Sequence, residues 1–442
     1  MMLSPSVISV EGLAAGAAHA PLLAEGGVVV DPLLLVDLDR PFGSTAVLRR
    51  AVERAQECDR LLVGVTRSAA PSAALPAPLA EALDLTLARA DGADRRLVAV
   101  EDPEAEAGAL QGHAFDNPEA AVVLGQILRT GPRLTVLQGL DAESLAYSTL
   151  LAGSGFARWL AARGDRPVPP PAKAETVLVR RDGDTLHLTL NRPERRNAYG
   201  RELRDALVAA LDVARLDPTV ADVVLDGNGP SFCSGGDLGE FGVATDLSTA
   251  HLVRTRGGAA RSVHELRGRV TVRVHGSCVG AGIELPAFAS RIVADPGTVF
   301  RLPELGMGLI PGAGGTVSIP RRIGRWRTLY LVLSGCSLDA GQALRWGLVD
   351  EVEPVGLPRI PYDPRPARVR PASRRSQSAA ADRGQEAKGS PGISSVVKKI
   401  GAPYESSMSV TTRSSRSLSV RTFLRFSQLW TESRSVTLNR RL

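Results

Sequence analysis

Two carboxylates and two glycine-rich loops carry the chemistry in this sequence. Glu284 ends the stretch His275-Gly-Ser-Cys-Val-Gly-Ala-Gly-Ile-Glu284-Leu, and Glu304 stands twenty residues further on, in Leu302-Pro-Glu-Leu-Gly-Met-Gly-Leu-Ile-Pro-Gly-Ala-Gly-Gly-Thr316. Two carboxylates facing one pocket can share a water, one removing its proton while the other delivers a proton elsewhere. The second loop is Ser231-Phe-Cys-Ser-Gly-Gly-Asp237-Leu. Glycines at such points let the backbone come close to a ligand and aim its N–H groups at it. The N–H groups of Gly236 and Ala281 can together hold a developing oxyanion, the device of acyl and enolate chemistry.

Other chemistries find less support. Ser277 and Cys278 beside His275 lie on one turn at spacings that do not make a triad, and no GxSxG elbow occurs. The six histidines are scattered without metal-ligand spacing, so no metal site is expected. Gly280-Ala-Gly282 lacks the GxGxxG continuation and no GK[ST] follows a glycine run, which argues against a nucleotide-phosphate cradle. Asp237, directly after the glycines, reads as a helix N-cap.

The elements that must position these loops alternate between strand and helix. Val177 to Leu190 reads as a hairpin around Asp182-Gly183. A helix follows, with Leu203, Leu207 and Leu211 on one face. Residues 222–226 and 270–274 read as buried strands, each ending at one of the glycine loops, and an apolar helix starts near Ile283. This is an α/β pattern with chemistry at the strand ends. Residues 166–174, DRPVPPPAK, form a Pro-rich linker that separates this body (175–355) from an N-terminal α/β segment (1–165). Within 1–165, LLVDLDRP (34–41), LLVGV (61–65) and LTVLQG (134–139) parallel LHLTLNRP (186–193), DVVLDG (222–227) and VTVRVHG (270–276). An internal duplication and two unrelated segments with common strand vocabulary both fit this pattern. Ala142-Glu143-Ser144 falls near the place of the glycine loop at 275–285 and reads as structural.

The chain has 442 residues, 44% hydrophobic and 23% charged, which suits globular domains and excludes collagen-like or fully disordered chains. The net charge of +6 divides unevenly: residues 356–442 carry +12, and the rest carries −6. This Arg/Ser/Pro-rich tail is expected to be mostly disordered and without specific nucleic-acid recognition, since aromatics are only 4%. No apolar run reaches a membrane span, and the first twenty residues lack the basic start of a signal peptide. Four separated cysteines indicate reduced thiols and a cytoplasmic setting.

FCSGGDL, VHGSCVGAGIEL, LPELGMGLIPGAGGT and, at 191–198, NRPERRNA resemble in order and spacing the enoyl-CoA hydratase/isomerase (crotonase) superfamily. The resemblance covers residues 175 to about 355 and implies a crotonase-like (ββα) superhelix there. It implies that the N–H groups of Gly236 and Ala281 bind a thioester oxygen, and that Glu284 and Glu304 activate water and move its proton. It places Asp237, Leu238, Asn197 and Ala198 along the coenzyme A moiety. Coenzyme A then arrives as part of an acyl-CoA substrate with no separate cofactor, and a homo-trimer or hexamer is implied. Hydration of a 2-enoyl-CoA is the reaction expected. Double-bond isomerisation, or acyl-CoA binding without turnover, are the alternatives. Ala281 stands where the family often has glycine. The tail does not show the amphipathic C-terminal helices with which members complete the site.

Overall fold

The computed structural model describes residues 7–354 apart from 42, 69–74 and 91–93. All of them fall in one compact unit. The expectation for residues 356–442 lies outside the described residues.

The N-terminal segment opens with a five-stranded parallel sheet in chain order: β1 (Val7–Ser9), β2 (Leu33–Asp37), β3 (Leu61–Val65), β4 (Leu85–Ala88) and β5 (Leu97–Ala99). Its strands are apolar at nearly every position because both faces are covered. Leu34 and Val36 pack with α1 (Val10–Ala14), α2 (Thr45–Gln56) and α3 (Ala77–Ala82) in a small core. Leu33 and Leu35 point the other way, into the main core. Four helices follow: α4 (Pro103–Asp116), α5 (Pro118–Thr130), α6 (Val136–Leu151) and α7 (Ser154–Arg163). The suggested match between 134–139 and a strand fails here. Thr135 instead opens α6 through a reciprocal capping box with Gln138, and the apolar residues that follow continue as helix.

Residues 166–174 contain neither helix nor strand. Beyond them, β6 (Val177–Asp182) and β7 (Thr185–Leu190) form the expected antiparallel hairpin. They edge a six-stranded sheet ordered β14-β11-β9-β8-β7-β6, with β8 (Asp222–Gly227), β9 (Val270–Val274), β11 (Arg291–Ala294) and β14 (Glu351–Val352) all parallel to β7. A three-stranded sheet joins β10 (Ser277–Val279), β12 (Val299–Arg301) and β13 (Ser337–Asp339). Helices α8 (Arg201–Leu216), α9 (Leu247–Arg256), α10 (Ala259–Glu265), α11 (Ala281–Glu284), α12 (Gly315–Ser334) and α13 (Ala340–Trp346) complete this part. Leu203, Leu207 and Leu211 are buried along α8, as their spacing requires. The helix expected near Ile283 is a single turn starting at Ala281, because Pro286 cannot continue the hydrogen-bond ladder and a 3₁₀ turn (Pro286–Phe288) replaces it.

One continuous hydrophobic core runs through both segments, from Leu33 and Leu61 to Ile323 and Leu348. Helix α12 is the seam. Arg325 pairs with the buried Asp84 at 3.3 Å, and Trp326 Nε1 donates to the Leu83 carbonyl at 3.1 Å. Arg129 closes on the same Asp84 with bonds of 2.7 and 2.5 Å. No helix among the described residues is long and apolar enough to cross a membrane.

Candidate active site

The two glycine loops lie side by side at the ends of β8 and β9, stitched by backbone. Phe232 N donates to His275 O at 2.9 Å and Val279 N to Cys233 O at 3.1 Å. A third loop locks onto them: Tyr199 N donates to Gly235 O at 2.7 Å and Ser234 N to Arg196 O at 3.0 Å. Strand pairing thus fixes the 231–238 loop from both sides. This matters because an oxyanion site works only when its donors are already in place.

Gly236 N and Ala281 N are not spent on the fold. Ala281 is the first residue of α11, where the N–H has no intrahelical acceptor, and neither N–H has a protein acceptor among the described residues. Ala281 keeps a negative φ, so its Cβ brings no backbone strain; Gly280 takes the unusual conformation instead, at φ 50°, ψ −120°.

Gly280 also locates the carboxylates. A Cβ on it would stand 2.7 Å from Glu304 Oε1 and 3.5 Å from Glu284 Oε1, so the two acids converge on one point beside the oxyanion loops. Both are buried, at 2% and 7% exposure for Glu284 and Glu304, but their surroundings differ. Glu284 Oε2 accepts from Ala313 N at 2.7 Å and Gly315 N at 2.9 Å. That leaves Oε1 toward the site. Burial raises Glu284 to about 7, against the pull of those two N–H groups. Glu304 Oε2 has no partner among the described residues. Burial and the Glu284 charge hold Glu304 well above the usual carboxylate range. Two acids pushed to different degrees beside one cleft make a base and an acid.

The remaining expected residues have other work. Asp237 caps no helix, since only a turn follows it. It is buried, accepts from Gly239 N at 3.0 Å and forms a two-bonded pair with Arg195 at 2.9 and 2.6 Å. Asn197 is fully buried, and its amide is spent on the chain: it accepts from Arg192 N at 2.7 Å and donates to Asn228 O at 2.8 Å and Ser231 O at 3.0 Å. Its side chain therefore holds the loops in place instead of facing a ligand. Ala198 is buried beside it, while Leu238 is 38% exposed at the rim. Cys233 and Cys278 are buried thiols raised by desolvation, the first to about 12, and His275 Nε2 lies 2.9 Å from the Gly229 carbonyl. That is the opposite of an activated nucleophile. Among the described residues, no group of three or more His, Cys, Asp or Glu could hold a metal ion.

Two residues that the glycine-loop motifs do not reveal belong to the same neighbourhood. Glu143, on α6, is 2% exposed and accepts from Gly314 N, Thr316 N and Thr316 Oγ1 at 2.7, 2.8 and 2.7 Å. Tyr147, one turn later, lays its ring against Gly312, with the Arg254 guanidinium 4.9 Å from the ring centroid. Sequence reading takes Glu143 as structural. The one signal was an acidic residue at helical spacing between Leu140 and Leu150 on an otherwise buried face.

The sequence profile of the family described as "Enoyl-CoA hydratase/isomerase" matches residues 181–356. A 2,3-dehydroadipyl-CoA hydratase of Escherichia coli is 38% identical over 181 residues, covering 41% of this chain and 70% of that protein. A probable enoyl-CoA hydratase of Rhizobium meliloti is 35% identical, covering 40% of this chain and 68% of its own. A carnitinyl-CoA dehydratase structure from Mycobacterium avium 104 is 36% identical and covers 41% of this chain and 72% of its own, with a TM-score of 0.38. The family profile does not extend to the N-terminal segment (1–165). With both glycine loops and both carboxylates in the matched stretch, the chain belongs to the enoyl-CoA hydratase/isomerase (crotonase) superfamily of enzymes.

Proposed function

We propose that this protein hydrates a 2-enoyl-CoA thioester. The convergence of Glu284 Oε1 and Glu304 Oε1 on Gly280, beside two uncommitted N–H groups, carries this reading. The thioester oxygen docks on Gly236 N and Ala281 N, and a water sits between the two carboxyl groups. Glu284 takes a proton from the water, and the hydroxide oxygen bonds to C3. The π electrons move onto the thioester oxygen as an enolate, which the two N–H groups stabilise. As the enolate collapses, Glu304 gives its proton to C2, and the proton on Glu284 restores Glu304. Water is consumed and no redox partner is needed.

The coenzyme A moiety is assigned to the edge formed by Ala198 and Leu238. The acyl end is assigned to a small pocket of about 50 Å³ whose lining includes Leu140, Tyr199, Ala259, Leu285 and Ala313. The test follows the ultraviolet absorbance of a short 2-enoyl-CoA with purified protein. Loss of absorbance that slows by orders of magnitude in Glu284→Gln and Glu304→Gln supports hydration. Equal loss in all three proteins defeats it. Conversion of a 3-enoyl-CoA without a matching hydratase rate assigns isomerisation instead. Binding by calorimetry with no turnover of either substrate leaves a thioester-binding protein.

A further inference from the structure

The turn that anchors Glu284 is shared, atom by atom, with a carboxylate from outside the family-matched stretch. Four successive N–H groups at the start of α12 alternate between two acids: Ala313 and Gly315 donate to Glu284 Oε2, while Gly314 and Thr316 donate to the two oxygens of Glu143. The alternation follows from backbone geometry, because Gly314 at φ 103° turns successive amides to opposite sides of the chain. The turn is thus clamped between the catalytic carboxylate on one side and α6 on the other. Helix α6 touches it twice: Tyr147 packs against Gly312, and Glu143 takes the next pair of donors. Gly139, on the same helix, lies against Val317 in the first turn of α12.

Resting on the hydratase reading, we propose that Glu143 is a positioning residue for Glu284, setting where the base points through the 313–316 turn. Glu143 spends its hydrogen bonds on the backbone and hydroxyl of the turn, and so acts on Glu284 through it. The fit at the turn is tight enough to transmit a displacement. A Cβ on Gly315 would stand 2.7 Å from Glu284 Cγ and 2.8 Å from Oε2, so the carboxylate has no slack on that side. The electrostatics agree with this coupling. Burial and the Glu284 charge push Glu143 up to about 8, opposed by its three donors, with Arg254 and Glu304 the other charges nearby. Around neutrality the pair shares a proton, so one turn need not hold two full negative charges. The N-terminal segment then contributes to catalysis through a residue outside the stretch that the family profile matches.

The test is a double-mutant cycle on the full chain with Glu143→Gln and Glu284→Gln, read in two ways. In turnover, Glu143→Gln is expected to lower kcat about tenfold or more with KM nearly unchanged, and to cost nothing further once Glu284 is already Gln. In urea unfolding, the two substitutions are expected to be non-additive whether or not the protein turns over enoyl-CoA, so failure of the hydratase reading leaves this arm intact. Thr316→Val removes one donor to Glu143 with little change in volume, and is expected to give a smaller loss of the same kind. Additive effects in the unfolding cycle overturn the proposal. So does a kcat loss that persists undiminished in the Glu284→Gln background, which makes Glu143 a helix cap only.

Discussion

Glu284 and Glu304 meet above Gly280 with unequal anchoring: two backbone N–H groups hold one oxygen of Glu284, while one buried oxygen of Glu304 has no partner among the described residues. The asymmetry suits the roles proposed for the two acids, Glu284 as base and Glu304 as acid. In the proposed hydration Glu284, raised to about 7 by burial, is the base, and Glu304, held well above the ordinary range by burial and the Glu284 charge, is the acid. The kcat profile of the wild type should therefore rise with pH through about 7. Glu304→Gln should leave that rise in place while lowering the plateau. Steady-state rates from pH 5 to 9 check this, and a flat profile between 6 and 8 counts against Glu284 as the base.

Ala281→Pro isolates the oxyanion donor. Proline is tolerated at the first helical position, where the N–H is unused by the helix, and Gly280 before it has no Cβ to clash. One donor is lost and the fold is kept. The expected result is a fall in kcat of about 10²–10³, with circular dichroism and the melting temperature close to wild type. Full activity in this variant would show that the Ala281 N–H does not carry the oxyanion.

Gly280→Ala tests the convergence point itself. The new Cβ would collide with Glu304 Oε1 and carry a side chain at φ 50°. A strained backbone position of this kind costs about 1–3 kcal/mol. Activity should be abolished while the protein still folds, with urea unfolding reporting the modest loss. An active Gly280→Ala protein would mean that the two carboxylates do not meet where they stand here.

Stability should fall as pH rises from about 5 to 8. Burial raises Glu284 to about 7 and Glu143 to about 8 from a usual 4.5, so in this window the folded chain holds protons that the unfolded chain has released. Raising the pH then favours unfolding. The depressed acids Asp39 and Asp94 act below this window. Urea midpoints at pH 5 and pH 8 measure the slope, which should flatten in Glu143→Gln/Glu284→Gln. A midpoint that climbs over the same range contradicts the burial argument.

Asp84 is the polar bolt between the N-terminal sheet and α12, facing Arg129 and Arg325 and accepting from Leu62 N at 2.8 Å. Removing one partner of a buried ion pair costs about 3–5 kcal/mol, because the other charge is left uncompensated. Asp84→Ala should lower the urea midpoint accordingly. A change under about 1 kcal/mol, the size typical of exposed pairs, would show that the pair is not desolvated.

The catalytic half was legible because its signals are local. The Asp182-Gly183 turn sets the hairpin, the leucines at 203, 207 and 211 set α8, and the glycine loops occur at strand ends. What the sequence hid was non-local. Thr135 and Gln138 turn an apolar, strand-like run into a helix by a cap. Asp237 looks like a cap, but is held by Arg195 across 42 residues. Glu143 is meaningful only because the fold brings it to residues 314 and 316, which no spacing rule predicts. The duplication pattern at 134–139 misled for the same reason, since strand and helix share an apolar vocabulary over six residues.

The most direct measurement is the isotopic composition of the product. Crotonyl-CoA is incubated with the protein in H₂¹⁸O and, separately, in D₂O, and the thioester product is analysed by mass spectrometry with fragmentation. The mechanism through Glu284 and Glu304 predicts one ¹⁸O bonded at C3 and one deuterium at C2, with both incorporated far more slowly in Glu284→Gln or Glu304→Gln. A product that gains deuterium but no oxygen, or substrate recovered unlabelled from the wild type, would contradict hydration at this site.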